Sequence, residues 1–187
     1  MNIAIFASGS GSNAEKIIEY FKVKENIIVS VILTNNPEAG VISRADKLGV
    51  PCYVFDREAF KGNEVLSILK ENDIDFIVLA GFLWLIPMKY IEAFPNKIVN
   101  LHPALLPKYG GKGMYGHHVH EAVIANREVE SGITIHYVNE AYDDGAIIFQ
   151  AKYAISPTDS AMDIAMKGQV LEHEHFPKVI EKLLEGK

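Results

Sequence analysis

Two strand-end residues and one of two adjacent carboxylates carry the chemistry most readily. Asn100 and His102 close the apolar run KIVNLH (97 to 102), and Asp143 and Asp144 begin the DDG of NEAYDDGA (139 to 146). Side chains two apart on a strand face the same side, so one location sees both an amide and an imidazole. An amide can donate a hydrogen bond to a developing oxyanion. An imidazole can move a proton near neutral pH. A carboxylate from Asp143 or Asp144 would orient His102 and favour its protonated form. The same residues also read as polar groups satisfying backbone at a strand end, and Asp-Asp-Gly is ordinary turn chemistry. No Ser or Cys occupies a nucleophile elbow, which points to direct transfer between two bound substrates. After His102 come Pro103, Pro107, Gly110 and Gly111. The prolines are expected to fix the backbone so that Asn100 and His102 are held in place before substrate arrives.

A second candidate is ASGSGSNAE (7 to 15). Small residues let the chain turn sharply and let the next helix present N–H groups to an anion. Gly9, Gly11, Ser12 and Asn13 would form that cradle, although a tight turn without ligand uses the same residues. A dinucleotide site also wants an acid closing the second strand, where this chain has Thr34-Asn35-Asn36. No Lys-Ser/Thr pair completes a P-loop. A phosphate-bearing small molecule that is not a dinucleotide fits best, and Gly11→Val is expected to block its approach.

The elements that must position these residues follow from periodicity. Strands are expected at 2–7, 27–34, 51–55, 75–80 and 97–102, and helices at 13–21, 38–48, 57–72 and 84–94. Alternating strands and helices predict a parallel sheet, whose strand ends are where ligands bind. Two β-rich runs, 132–138 and 146–155, predict an antiparallel hairpin, and 159–185 a long terminal helix capped by Asp159 or Ser160. The fold class is α/β: a Rossmann-like, mostly parallel twisted sheet with helices on both faces and a C-terminal antiparallel hairpin, in one domain over 1–187.

The 187 residues carry a formal net charge of −6, which disfavours a general nucleic-acid binder. Cys52 is the only cysteine, so no disulfide forms within the chain, and it reads as a small core residue. No apolar run is long enough to span a membrane, and the N-terminus lacks the features of a signal peptide. The expectation is a cytoplasmic protein without nucleic-acid or membrane partners, as monomer or homodimer.

LAGFLWLIP (79 to 87), NLHPALLPKYGG (100 to 111), DDGAII (143 to 148) and the opening SGSGSN (8 to 13) resemble the formyltetrahydrofolate-dependent formyltransferase family through almost the whole chain. Within it, the resemblance is to members acting on glycinamide ribonucleotide in purine biosynthesis. It implies that 10-formyltetrahydrofolate is co-substrate and that the ribonucleotide amine attacks its formyl carbon. Asn100 would hold the oxygen of the tetrahedral intermediate, with His102 as acid or electrostatic partner supported by Asp143. Asp144 stands where many relatives have glycine. Gly11, Ser12 and Asn13 would bind the phosphate, Gly81 would border the substrates, and Gln169 and Glu172 would bind ribose. The folate would lie against Phe82, Leu83, Trp84, Leu85 and Ile86, and against Val138, Asn139, Glu140 and Asp143, beside Asn100.

Two departures stand out. Trp84 replaces a common Arg, and packs on the folate or on the core. The segment 110–123 is longer and richer in His than the simplest version of this loop. His117, His118 and His120 suggest a metal, but neighbours one or two apart on a helix do not face one another. No metal is expected, and His173 and His175 are discounted similarly. Lys108 and Lys112 would attract anionic substrates. The alternatives are a methionyl-tRNA formyltransferase, expected to be longer and basic; a formyltetrahydrofolate hydrolase, expected to carry an added N-terminal domain; and a sugar-phosphate binding module, which needs no general acid.

Overall fold

The computed structural model describes residues 1–186. Its seven-stranded sheet runs in the order β3-β2-β1-β4-β5-β6-β7. The strands are β1 (Asn2–Phe6), β2 (Ile28–Thr34), β3 (Cys52–Val54), β4 (Phe76–Leu79), β5 (Ile98–His102), β6 (Glu130–Tyr137) and β7 (Ile147–Ala154). The helices are α1 (Ser12–Phe21), α2 (Gly40–Leu48), α3 (Arg57–Lys61), α4 (Glu64–Glu71), α5 (Met88–Ala93), α6 (His117–Ala125) and α7 (Ala161–Glu185). The chain forms two compact units, Met1–Val99 and the residues from Asn100 onward.

In the first unit, β1 pairs in parallel with β2 and β4, and β2 with β3. The apolar runs of β1 and β4 are buried, as strands covered on both faces should be. Helix α1 buries Ala14, Ile17, Ile18 and Phe21, a single helical stripe. Helix α2 ends at Gly49 in a left-handed cap.

Two expected helices are corrected. The helix expected over 57–72 is two. Asp56 caps α3 by accepting from Ala59 N at 2.9 Å, and the chain leaves helical geometry at Gly62, which is extended. Asn63 then starts α4. A Gly-Asn pair favours that break over continuation. The helix expected from 84 begins only at Met88, behind the extended Pro87. The residue before a proline is pushed away from helical geometry, which excludes an earlier start.

In the second unit, β6 and β7 are antiparallel, with a register shift between Ile135 and His136. β7 is an edge strand whose residues alternate between exposed and half-buried. Helix α7 opens with a capping box: Ser160 accepts from Asp163 N, and the Asp163 carboxylate accepts from Ser160 N. It packs against α6 and β6. No helix among the described residues is long and apolar enough to cross a membrane.

Candidate active site

In the first unit the loop after β1 is fastened at nearly every residue. Ser8 N donates to Gly81 O at 3.0 Å, and Val41 N to Gly9 O at 3.2 Å. The Ser8 hydroxyl donates to Asn35 Oδ1 at 2.6 Å and accepts from Leu83 N at 3.1 Å. Asn36 Nδ2 reaches Ser8 O at 3.3 Å, and Arg44 Nε reaches Ser10 O at 2.8 Å while its guanidinium pairs with Glu15. Asn35 and Asn36, which stand where a ribose-binding acid would be, therefore brace the loop.

Gly11 caps α1 in the left-handed region, φ 77°. A Cβ there would lie 2.5 Å from Val41 Cγ2 and 2.7 Å from Val41 Cα. Its glycine is needed for packing between the loop and α2. This corrects the use of Gly11→Val as a clean probe of phosphate approach. Gly9, by contrast, has open space around an added Cβ.

In the second unit Asn100, His102 and Asp143 come together. Strand alternation places the first two on one face of β5, and the loop after β6 delivers the third. Asp143 has φ 54°, a geometry that Asp tolerates better than most residues. Gly145 follows because a Cβ there would sit 1.7 Å from Tyr137 O. Asp143 Oδ2 lies 3.4 Å from His102 Nδ1 and accepts from Gly111 N at 3.0 Å. Its Oδ1 accepts from Asn100 Nδ2 at 3.3 Å and lies 3.5 Å from His136 Nε2. Asp144 is exposed and accepts from Asn139 Nδ2 at 3.2 Å, so Asp143 is the carboxylate of the cluster.

His136 is the residue that sequence reasoning missed. It is 2% exposed, with Nε2 3.1 Å from Asn100 Nδ2 and Nδ1 2.8 Å from Tyr137 O. The signal is a polar residue alternating with Thr134 among the apolar residues Ile133 and Ile135. Both hydrogens of Asn100 Nδ2 thus have protein acceptors, and an oxyanion would have to replace one of them. The carbonyl oxygen of Tyr109 is a further partner that side-chain reasoning could not find. It lies 2.7 Å from His102 Nε2 and can only accept, so Nε2 carries a hydrogen.

His102 is 3% exposed. Burial pushes its imidazole below the ordinary value, against the opposing pull of the Asp143 carboxylate and the Tyr109 carbonyl, with His136 adding to the fall. The Asp143 carboxylate does favour the protonated form, as expected of it, but desolvation is the larger effect. For Asp143 burial is also the largest influence and acts upward. Contacts from His136, His102 and Gly111 N together outweigh it and hold the carboxyl below its usual range. The neutral imidazole therefore presents a bare Nδ1 to a carboxylate, an arrangement that stabilises a proton arriving at His102.

This constellation coincides with a sequence match over residues 1–180 to the model of formyl transferases. The chain belongs to the formyl transferase family. It is similar to the phosphoribosylglycinamide formyltransferase of Bacillus subtilis, at 34% identity over 97% of this chain and 93% of that one. It is 37% identical to the chloroplastic phosphoribosylglycinamide formyltransferase of Arabidopsis thaliana over 98% of its own length, but spans only 65% of that relative. The crystal structure of phosphoribosylglycinamide formyltransferase from Bacillus halodurans superposes with a TM-score of 0.89, at 37% identity, covering 98% of this chain and 95% of that one.

The other residues that the resemblance to formyl transferases implicates are placed as follows. Phe82 and Ile86 are buried, so their side chains belong to the core; Leu83 and Leu85 are exposed. Trp84 packs in an aromatic cluster with Phe55, Phe60 and Phe82, with the Arg57 guanidinium 4.5 Å from its ring centre. It thus packs on the core while remaining half-buried. Gly81, at φ 75°, lies near the start of the loop after β4, where its carbonyl accepts from Ser8 N. Val138 and Asn139 are half-buried and Glu140 is exposed, and Asn139 Oδ1 accepts from Ala141 N at 3.0 Å to shape that loop. Gln169, exposed, and Glu172, half-buried, lie a turn apart on α7. His117 and His118 do approach each other, with ring centres 4.0 Å apart, which corrects the spacing argument used to separate them.

Proposed function

We propose that this chain transfers the formyl group of 10-formyltetrahydrofolate to the amine of glycinamide ribonucleotide in purine biosynthesis. The observation that carries this reading is the partly buried cluster of Asn100, His102 and Asp143, which holds an amide, an imidazole and a carboxylate but offers no nucleophile of its own. The amine attacks the formyl carbon directly, forming a C–N bond and a tetrahedral intermediate. Asn100 Nδ2 donates to the oxyanion in place of one of its resting acceptors. His102 takes up the proton that the amine loses at its bare Nδ1, beside Asp143, which stabilises the imidazolium so formed, and the imidazolium later returns a proton to the leaving nitrogen. Collapse of the intermediate breaks the bond to the folate N10, which gains a proton.

The first turn of α1, with Gly11, Ser12 and Asn13, binds the ribonucleotide phosphate. Gly81 borders the substrates, and Gln169 and Glu172 bind the ribose. The folate meets backbone groups of 82–86 and 138–143 and the exposed side chains Leu83 and Leu85. The protein works as a monomer or homodimer in the cytoplasm, without a metal in the reaction.

The test is to mix the protein with 10-formyltetrahydrofolate and glycinamide ribonucleotide and follow both tetrahydrofolate and the formylated product. Stoichiometric release that depends on the ribonucleotide is expected. Release without the ribonucleotide would identify a hydrolase, and ribonucleotide binding without turnover a binding module.

A further inference from the structure

Helix α6 begins with two histidines and carries a glutamate one turn later. The candidate ligand atoms of His117, His118 and Glu121 all lie within 4.8 Å of one another, and the three side chains are exposed. His118 Nδ1 is 3.8 Å from Glu121 Oε2. His117 and Glu121 stand four apart and so share a helix face. His118 joins them because it stands three residues before Glu121, also a neighbouring position on the helix surface. The Tyr115 ring meets His118 edge-on at 5.5 Å between centres, limiting its travel on one side.

We propose that His117, His118 and Glu121 form a surface site for a divalent transition-metal ion of the zinc, nickel or copper class, and that the ion braces the start of α6. Two imidazoles and one carboxylate are a mixed nitrogen and oxygen set, which suits those ions. Magnesium and calcium prefer oxygen alone and are disfavoured. Bonds of roughly 2.0–2.2 Å bring tetrahedral ligand atoms closer than they now lie, a closure that rotation of exposed side chains supplies. Water completes the coordination. The positive end of the helix opposes a cation weakly, and the Glu121 carboxylate and the net charge of −6 offset it.

The place gives the ion a consequence. Gly111, Gly113 and Gly116 all have positive φ, and Gly116 is the N-cap of α6. Three of its six residues have no side chain and most of the segment is exposed, so little side-chain packing fixes it. At its other end Gly111 N holds Asp143. An ion on the first turn of α6 ties down the far end of that segment. The inference does not depend on the reaction proposed above.

Chelator-treated full-length protein is titrated with zinc chloride and with nickel chloride by calorimetry in a non-coordinating buffer. One ion per chain is expected, bound at least tenfold more weakly by His118→Ala or Glu121→Gln. His117→Ala/His118→Ala should abolish the site, and magnesium should not compete. These exposed substitutions leave the fold intact, which circular dichroism checks. Absence of binding at millimolar zinc would overturn the site, as would equal affinity in the wild type and the double variant. For the brace, trypsin cleavage after the exposed Lys112 should slow with zinc in the wild type and not in the double variant. Unchanged cleavage in the zinc-loaded wild type would overturn the brace.

Discussion

The loop that leaves β1 and the cluster that closes β5 occupy equivalent places on their strands but are held by different means. The loop is fixed by main-chain groups together with side chains outside the proposed reaction: Gly81 O, Leu83 N and Val41 N reach residues 8 and 9, Asn35 and Asn36 brace Ser8, and Arg44 reaches Ser10 O. The cluster is held together by ionisable side chains, two of which the proposed reaction uses, brought from β5, β6 and the loop after β6. A cradle for a phosphate needs shape and a fixed dipole, which main chain supplies without change on binding. A proton-transfer site needs groups whose charge can change, so its geometry and its chemistry share the same atoms.

That difference is most open to challenge at Asp143. Asp143→Asn keeps the shape and removes the charge, and should lower kcat by about 10³-fold, or about 4 kcal/mol of transition-state stabilisation. The circular dichroism spectrum should be unchanged. A variant keeping more than a tenth of the original kcat would remove the carboxylate from the chemistry. Gly11→Ala should act in the opposite manner. Its methyl meets Val41 in a left-handed backbone, so a stability loss of about 3 kcal/mol is expected from overpacking and strain together. Urea denaturation measures it, and a shift below about 1 kcal/mol would mean that the loop yields more readily than its hydrogen bonds imply.

Acid sharpens the same contrast. His102 is held below its ordinary value, so as pH falls through about 6.5 the unfolded chain takes a proton before the folded one does. His120, lowered by burial and then by His102, acts in the same sense, and Asp143 follows below about 4. Stability is therefore full above neutrality and lost on acidification. Thermal midpoints should fall between pH 7.5 and pH 5, on the order of degrees, and His102→Asn should flatten part of that fall. The smallest effect is expected at Gly9→Ala, where the added methyl meets nothing within 4 Å. Stability should stay within about 0.5 kcal/mol, while the KM for the ribonucleotide rises and that for the folate does not. Equal rises in both would argue against a phosphate in the cradle.

Much of this was legible before any coordinates. The continuous apolar runs of β1 and β4, Gly49 as a helix stop and the hairpin of β6 and β7 follow from periodicity and turn chemistry. The spacing of Asn100 and His102 placed them on one face. What stayed hidden was non-local. Nothing near His136 in sequence says that it meets Asn100, and the Tyr109 carbonyl is chemistry that no side-chain pattern reports. The balance at His102 was also hidden, because a neighbouring carboxylate is visible in a motif whereas desolvation depends on the whole packed unit. The helix break at Gly62 was visible but was overridden by the apolar spacing across it.

Thr134 ties the segment after His102 to the hairpin. Its buried hydroxyl donates to Ala104 O at 2.6 Å and accepts from Leu106 N at 3.0 Å, and Gln150 Nε2 bridges it to Leu106 O at 2.9 and 3.0 Å. The consequence concerns recombination between relatives. A chimera that imports residues 100–111 alone would inherit a peptide group without its acceptor or donor, a loss that a packed interior does not forgive. Where a relative lacks a hydroxyl at 134 or an amide at 150, residues 100–111, 134 and 150 should be exchanged as one block, and laboratory shuffling with such a relative should find its permitted crossover points outside it.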